Sequence, residues 1–327
     1  STGEVPTIER FMQYRSFKRL IMGPFGSGKS SGFVIELINI ANDTPPMTDG
    51  VRRSRHCVIR NTLPQLRDTT IKTFQYWCPV KVWGEYRTTT HTYYMRWPHP
   101  VDRGIVECEV LFRALDRPEH TANLLSLELT AAWVNEAREV PRIIVEALEG
   151  RVGRFPPIEE VPEYWHGVIF DNNPPDDDSW IYQLYEEDMP DNARIFKQPS
   201  GLSDQAENRS HLPPTYYENM VQGKTQDYID VYVHGNYGYV QEGKPVYPEY
   251  NDAVHCREYS VPRLEVFRGW DFGLTPACIL TVVRPNGQWL VFDEILADNM
   301  GIERFVKQVE RHMHMYWPDL VIGGDII

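Results

Sequence analysis

Gly23-Pro-Phe-Gly-Ser-Gly-Lys-Ser30, set between the apolar run Lys18-Arg-Leu-Ile-Met22 and the helix-spaced apolar residues of Ser31 to Ala41, is the stretch on which the reading of this chain turns. Strand, glycine-rich loop and helix follow one another. The spacing Gly23-x-x-x-x-Gly28-Lys29-Ser30 lets backbone N–H groups turn inward at a helix N-terminus, where they cradle phosphate. In that pattern Gly23, Pro24, Phe25, Gly26, Ser27, Gly28, Lys29, Ser30 and Ser31 form the nucleotide-binding segment. Lys29 reaches the β and γ phosphates, and the Ser30 hydroxyl ligates Mg²⁺.

Working outward, Pro45, Pro46 and Gly50 break the chain, His56-Cys-Val-Ile-Arg60 reads as a second strand, and Leu63 to Trp77 carries apolar residues at helical spacing. Residues 81–115, rich in Thr, Tyr, Val and Trp with turn signals at Pro98, Pro100 and Gly104, read as hairpins inserted in the domain. Leu129 to Val134, Gly167 to Phe170 and Arg194 to Phe196 read as buried strands. They alternate with helical patterns over Pro141 to Leu148, Asp178 to Glu187 and Pro214 to Val233. The expected fold is therefore α/β, a mostly parallel sheet flanked by helices.

A phosphate loop that supports hydrolysis needs an acidic strand end to hold the Mg²⁺ shell and orient water. Leu129-Thr-Ala-Ala-Trp-Val-Asn135-Glu136 supplies one. Glu136 is the expected water-polarising carboxylate. Asn135 stands where an acid is usual, and its amide oxygen can accept a bond from metal-bound water without bringing charge. A third strand, Gly167-Val-Ile-Phe-Asp-Asn172-Asn173-Pro174, also ends in polar residues, which either sense the γ phosphate or form an Asx turn before Pro174.

The 235–261 stretch, dense in Gly, Pro, Tyr and charge, reads as a linker. Beyond it come strands over Leu264 to Asp271, Ala277 to Val283 and Gln288 to Ile295, the last two joined at the hairpin signal Asn286-Gly287. A helix over Ile302 to Tyr316 and a strand over Asp319 to Asp325 follow. The expected division is 1–235, linker 236–262, and 263–327. The chain begins without Met and stops in a strand-like run, so it is expected to be a fragment with an incomplete second domain.

The 327 residues carry 33 Lys plus Arg against 46 Asp plus Glu, a net charge of −13, which excludes a protein that coats nucleic acid by bulk charge. The densest basic stretch, Arg52-Arg-Ser-Arg55 with Arg60 and Arg67, is read either as a contact to a DNA backbone or neighbouring subunit, or as a solvated face. Cys57, Cys78, Cys108, Cys256 and Cys278 are scattered without a CxxC pair, so ordinary buried thiols are expected. No apolar run is long enough to span a bilayer.

The order of these motifs resembles the large terminase subunit of tailed bacteriophages. It runs from the phosphate loop through His56-Cys-Val-Ile-Arg-Asn-Thr62 with Leu66-Arg67, Leu115-Asp-Arg-Pro-Glu119, Ala132-Trp-Val-Asn-Glu-Ala137 and Phe170-Asp-Asn-Asn-Pro174 to Gly269-Trp-Asp-Phe-Gly273. The resemblance spans nearly the whole chain. It implies an N-terminal ATPase that drives double-stranded DNA into a preformed capsid, and an RNase H-like nuclease that cuts concatemeric DNA. It makes Lys29 and Ser30 the phosphate and Mg²⁺ ligands, Glu136 the catalytic glutamate, and Asn172 and Asn173 the coupling motif. An arginine acting in trans would be Arg117, Arg138, Arg151 or Arg154. Asp271 and Asp325 would be catalytic acids holding Mg²⁺ or Mn²⁺, with Glu294 a further metal ligand and a later acid beyond Ile327. The implied partners are DNA, a portal protein, a small terminase subunit and copies of the same chain in a ring of five. The implied place is the cytoplasm of an infected bacterial host, not the mature virion. A different class of P-loop enzyme, such as a kinase with a C-terminal binding module, is the alternative.

Overall fold

The computed structural model describes residues 5–115, 124–238, 252–273, 275–298 and 300–326. The chain divides into two compact units, Ser1–Glu242 and Gly243–Ile327. Of the expected linker 236–262, residues 239–251 lie outside the described residues, as does Arg117 with the rest of 116–123.

In the first unit, β1 (Lys18–Met22), β2 (Arg52–Arg60), β3 (Gly84–Arg87), β4 (Thr92–Pro98), β5 (Ile105–Ala114), β6 (Ala131–Asn135), β7 (Gly167–Asn172) and β8 (Ala193–Lys197) form one eight-stranded sheet. Its order is β3-β4-β5-β2-β6-β7-β1-β8. Strands β5, β2, β6, β7, β1 and β8 are parallel, and β4 and β3 add an antiparallel edge. Every residue of β6 and β7 is buried, as expected for parallel strands covered on both faces. One face packs Phe33, Val34 and Leu37 of helix Lys29–Asp43 against Val58, Trp133 and Ile169. The other packs Ile144, Val145 and Leu148 of helix Arg142–Glu149 against Ala132, Val134 and Phe170.

The hairpins expected over 81–115 are the antiparallel pairs β3–β4 and β4–β5. β5 pairs in parallel with β2 over nine residues, so this segment extends the main sheet. The helix expected over Pro214 to Val233 is broken into Tyr216–Val221 and a second helix starting at Gln226–Ile229, with Gly223 between them at φ +69°. A left-handed residue ends a helix turn, and the longer periodic pattern conceals it.

A buried ion pair ties β1 to the helix that follows the loop. Arg19 Nη2 lies 2.7 Å from Glu36 Oε1, both side chains fully buried, and Arg19 Nη1 donates to the Phe11 carbonyl. The Arg19 guanidinium also lies over the rings of Phe11 and Trp165. The basic stretch on β2 is paired locally. Arg52 meets Asp102, Arg53 meets Asp49 and Glu107, and Arg55 meets Glu109. The charges of Arg52, Arg53 and Arg55 are neutralised by acids of β5 and of neighbouring loops, which favours the structural reading for these three.

In the second unit β9 (Val266–Asp271), β10 (Ala277–Val283), β11 (Trp289–Leu296) and β12 (Ile322–Ile326) form a sheet of order β11-β10-β9-β12. The first three strands are antiparallel, and β12 returns parallel to β9 after helix Ile302–Tyr316. Phe305, Val309 and Met313 of that helix pack on Val266, Cys278, Leu280 and Val282. All five cysteines are free thiols; four are buried, and Cys256 departs from the expectation in being exposed. Among the described residues no helix is long and apolar enough to cross a membrane.

His56 in the middle of β2 is fully buried, and burial pushes its pKa from the ordinary 6.5 down to about 3. Between those values the unfolded chain binds a proton that the folded chain refuses, so this group's contribution to stability is complete above pH 6.5 and is lost as the pH falls toward 3. At about 1.4 kcal/mol per pKa unit the loss is on the order of 5 kcal/mol. Urea unfolding of His56→Leu is expected to show a shallower decline than the native protein as the pH is lowered from 6.5 toward 4. Parallel pH profiles for the two would contradict the assignment.

Candidate nucleotide site

The phosphate loop leaves β1 at Met22 and enters the helix at Lys29. Gly28 sits at φ +85°, a left-handed backbone open mainly to glycine, and it turns the chain into the helix. The loop is held from outside by a later part of the same unit. Gln198 accepts from Ser27 Oγ at 2.7 Å and donates to the Ser27 carbonyl at 3.0 Å. Asn208 donates to the Gly26 carbonyl, and Tyr217 donates its hydroxyl to the Phe25 carbonyl. Phe25 stacks on Tyr232 with ring centroids 4.3 Å apart and an interplanar angle of 3°. None of these clamps was found from the sequence, because each joins the loop to a residue at least 171 positions away and no spacing rule reports such a contact.

Lys29 is buried, and its ammonium folds onto the loop. Nζ donates to the carbonyls of Gly23 (2.9 Å) and Pro24 (2.8 Å), to Ser27 Oγ (3.3 Å) and to Asn173 Oδ1 (3.0 Å). Burial pushes its pKa down, while the charges of Glu136 and Asp171 oppose the shift. Asn173 in turn directs its amide at both Glu136 carboxylate oxygens, 3.4 Å away. Glu136 follows β6 at φ +52°, a strained position for a residue with a side chain, of the kind that collects at functional sites. The structure thus brings Lys29, Asn173 and Glu136 together at the C-terminal ends of β1, β7 and β6. In open α/β sheets this is the edge where ligands bind.

Asn135 and Asp171 lie side by side in the β6–β7 register. Asn135 Nδ2 donates to both Asp171 oxygens at 3.0 and 2.9 Å, and Trp133 Nε1 donates to Oδ1 at 2.7 Å. Ser30 Oγ lies 3.4 Å from the other oxygen, Oδ2. Burial and the nearby Glu136 charge push the Asp171 carboxyl up to about 6, against the hydrogen bonds and the Lys29 charge. Asn172 is buried, and its side-chain oxygen accepts from the Arg138 backbone N–H at 3.3 Å. The Arg138 guanidinium bonds the Tyr232 hydroxyl at 3.1 Å, which places it in cis beside the loop. Arg151 is committed to the Leu125 carbonyl. Beside the loop opens a cavity of about 800 Å³, lined in part by Ser27, Gly28, Ser31, Tyr76, Trp77 and Asn208.

The acids expected in the second unit do not converge. Asp325 is held by Arg268 in a two-point ion pair (2.7 and 2.8 Å) and by Trp270 Nε1 at 2.7 Å. Side chains alternate along β9, so Asp271 points to the face opposite Arg268 and Trp270. Glu294 is across β10 from Gly269, through Ile279. Among the described residues no cluster of three or more His, Cys, Asp or Glu side chains could hold a metal ion. The second-unit residues as placed do not fit a two-metal centre.

A glycine loop between a buried parallel strand and a helix, with polar side chains on the neighbouring strand ends, defines the P-loop class of α/β folds. No protein-family model matches the chain. No curated protein matches it either. Solved structures do. The large terminase of a thermophilic bacteriophage in complex with ADP is 13% identical, with a TM-score of 0.56 over 97% of this chain and 76% of that one. The same terminase in complex with ATP-gamma-S is 12% identical, with a TM-score of 0.54 over 97% and 75%. The fold of this chain is thus similar to that of bacteriophage large terminases, as the motif order led us to expect.

Proposed function

We propose that this chain is the ATP-hydrolysing motor of a system that drives double-stranded viral DNA into a capsid. The observation that carries the reading is the contact chain Lys29–Asn173–Glu136, which links the phosphate-facing ammonium to a carboxylate through one amide. The nucleotides named with the two phage terminase structures support ATP as the ligand.

The four acceptors of Lys29 are neutral oxygens, and a phosphate oxygen would replace some of them with a stronger, charge-assisted bond. That exchange frees Asn173 Oδ1 while its amide still faces Glu136. Asn173 therefore reports phosphate occupancy to the catalytic carboxylate and to the end of β7, which suits the coupling role. Glu136 orients the attacking water and takes its proton. Loop N–H groups hold the phosphates, and the Ser30 hydroxyl, a hard oxygen donor, fits the Mg²⁺ that accompanies them. When bound, that ion neutralises charge on the phosphate oxygens. Overall acidity suits a motor that releases DNA in each cycle through a few local contacts. Assembly as a ring, an arginine acting in trans, and docking to a portal and a small subunit complete the reading, which places the protein in the host cell during packaging. The domain division we propose is motor, linker and the start of a nuclease domain. Asp271 and Asp325 face opposite sides of their sheet, so cutting is not assigned to residues 1–327.

Lys29→Ala should abolish phosphate release from ATP while thermal unfolding shows an intact protein; full turnover by the folded variant would contradict the loop assignment. Glu136→Gln should keep ATP binding near the native level and slow hydrolysis by at least about 100-fold, the low end of what losing a general base costs. In a plasmid assay with Mg²⁺ or Mn²⁺, residues 1–327 are expected to leave the DNA uncut, and robust cutting would show that other residues build a metal site.

A further inference from the structure

The end of β6 offers an amide where a charged ligand for the nucleotide's cation is needed, and both ends of that amide have partners within the protein. Asn135 Oδ1 accepts from Thr70 Oγ1 at 2.6 Å, and its Nδ2 donates to Asp171. An N–H group aimed at a carboxylate cannot ligate a cation, and the oxygen of the same amide is turned to Thr70. The charge lies one strand away. Asp171 is fully buried on β7, directly across from Asn135, and among the described hydrogen bonds its Oδ2 is the carboxylate oxygen that meets the loop serine, at 3.4 Å from Ser30 Oγ. Adjacent strands lie about 4.8 Å apart, so exchanging the acid and the amide across this pair moves the carboxylate by one strand spacing and leaves the sheet unchanged. The set that results, a hydroxyl and a carboxylate, consists of hard oxygen donors suited to Mg²⁺, with nucleotide oxygens and water completing an octahedron.

Resting on the nucleotide-site reading above, we propose that Asp171, on β7, is the carboxylate that holds the Mg²⁺ of the bound nucleotide with Ser30. Asn135 is its positioning residue: its two N–H bonds fix the carboxylate, and Thr70 fixes the amide's orientation. Glu136 stays free of the cation and keeps its contact with Asn173. Trp133 Nε1 locks Asp171 Oδ1 from the side, so Oδ2 is the oxygen presented to Ser30.

Binding of a fluorescent ADP analogue, measured with Mg²⁺ and with EDTA, tests this without reference to turnover. The native protein should bind more tightly with Mg²⁺. Asp171→Asn should lose that enhancement while its affinity in EDTA stays near the native value. Asn135→Ala, which removes the amide and leaves the acid, should keep the enhancement, weakened by no more than about tenfold, the low end of outer-shell effects on metal affinity. Asn135→Asp combined with Asp171→Asn, which puts acid and amide back in the usual order, should restore it. Enhancement that survives in folded Asp171→Asn, or that vanishes in Asn135→Ala, would overturn the assignment and leave the nucleotide site standing. If Asp171→Asn does not fold, the Asn135→Ala result decides by the same criterion. A native protein that binds no nucleotide in either buffer would overturn both readings.

Discussion

A carboxylate without access to water is the constraint around which the larger unit is arranged. Asp171 is fully buried at the end of β7, between the strand that feeds the phosphate loop and the strand that presents Glu136. A buried charge is tolerated only when it is hydrogen-bonded and compensated. Trp133 and Asn135 supply the hydrogen bonds, and the Lys29 ammonium supplies the compensating charge. These partners come from β6 and from the helix that starts at Lys29, so satisfying one carboxylate fixes the relative positions of β6, β7 and that helix. The Arg19–Glu36 pair acts in the same way further along the helix, where it joins β1 to the helix flank.

The phosphate loop and its flanking elements were legible in the sequence because they are local. Strand β1 and helix Ile302–Tyr316 fall where the periodicity put them. Helix Lys29–Asp43 starts two residues earlier than its apolar pattern, since a helix can begin on polar residues whose N–H groups face a ligand. Glu136 was legible as the polar end of an apolar run. The partner of Asn135 was not, since it lies 36 positions further along the chain and no local pattern encodes the register between β6 and β7. The clamps from Gln198, Asn208, Tyr217 and Tyr232 were hidden for the same reason.

The second unit shows the opposite failure. Its strands were found, and Asp271 does end one of them, but the resemblance that made Asp325 a companion ligand carries no information on which face of the sheet each acid takes. The register shift between Ile322 and Gly324 changes which residues of β12 share a face with Arg268, and Asp325 is paired with that arginine. Sequence spacing counts residues and does not see a bulge. The basic residues of β2 teach a similar lesson. Arg52, Arg53 and Arg55 look like an anion-binding patch in one dimension, and the neighbouring acids of β5 and the loops cancel them in three.

The central claim is that hydrolysis at Lys29 and Glu136 serves movement along DNA. The most direct test is steady-state phosphate release from ATP by the native chain, with and without linear duplex DNA, at fixed low salt. The account predicts that duplex DNA raises the rate and that Glu136→Gln abolishes both the basal and the stimulated rate. Hydrolysis that depends on Glu136 and yet is unchanged by duplex DNA at every salt concentration tried would contradict it, and would point to a nucleotide hydrolase that does not act on DNA.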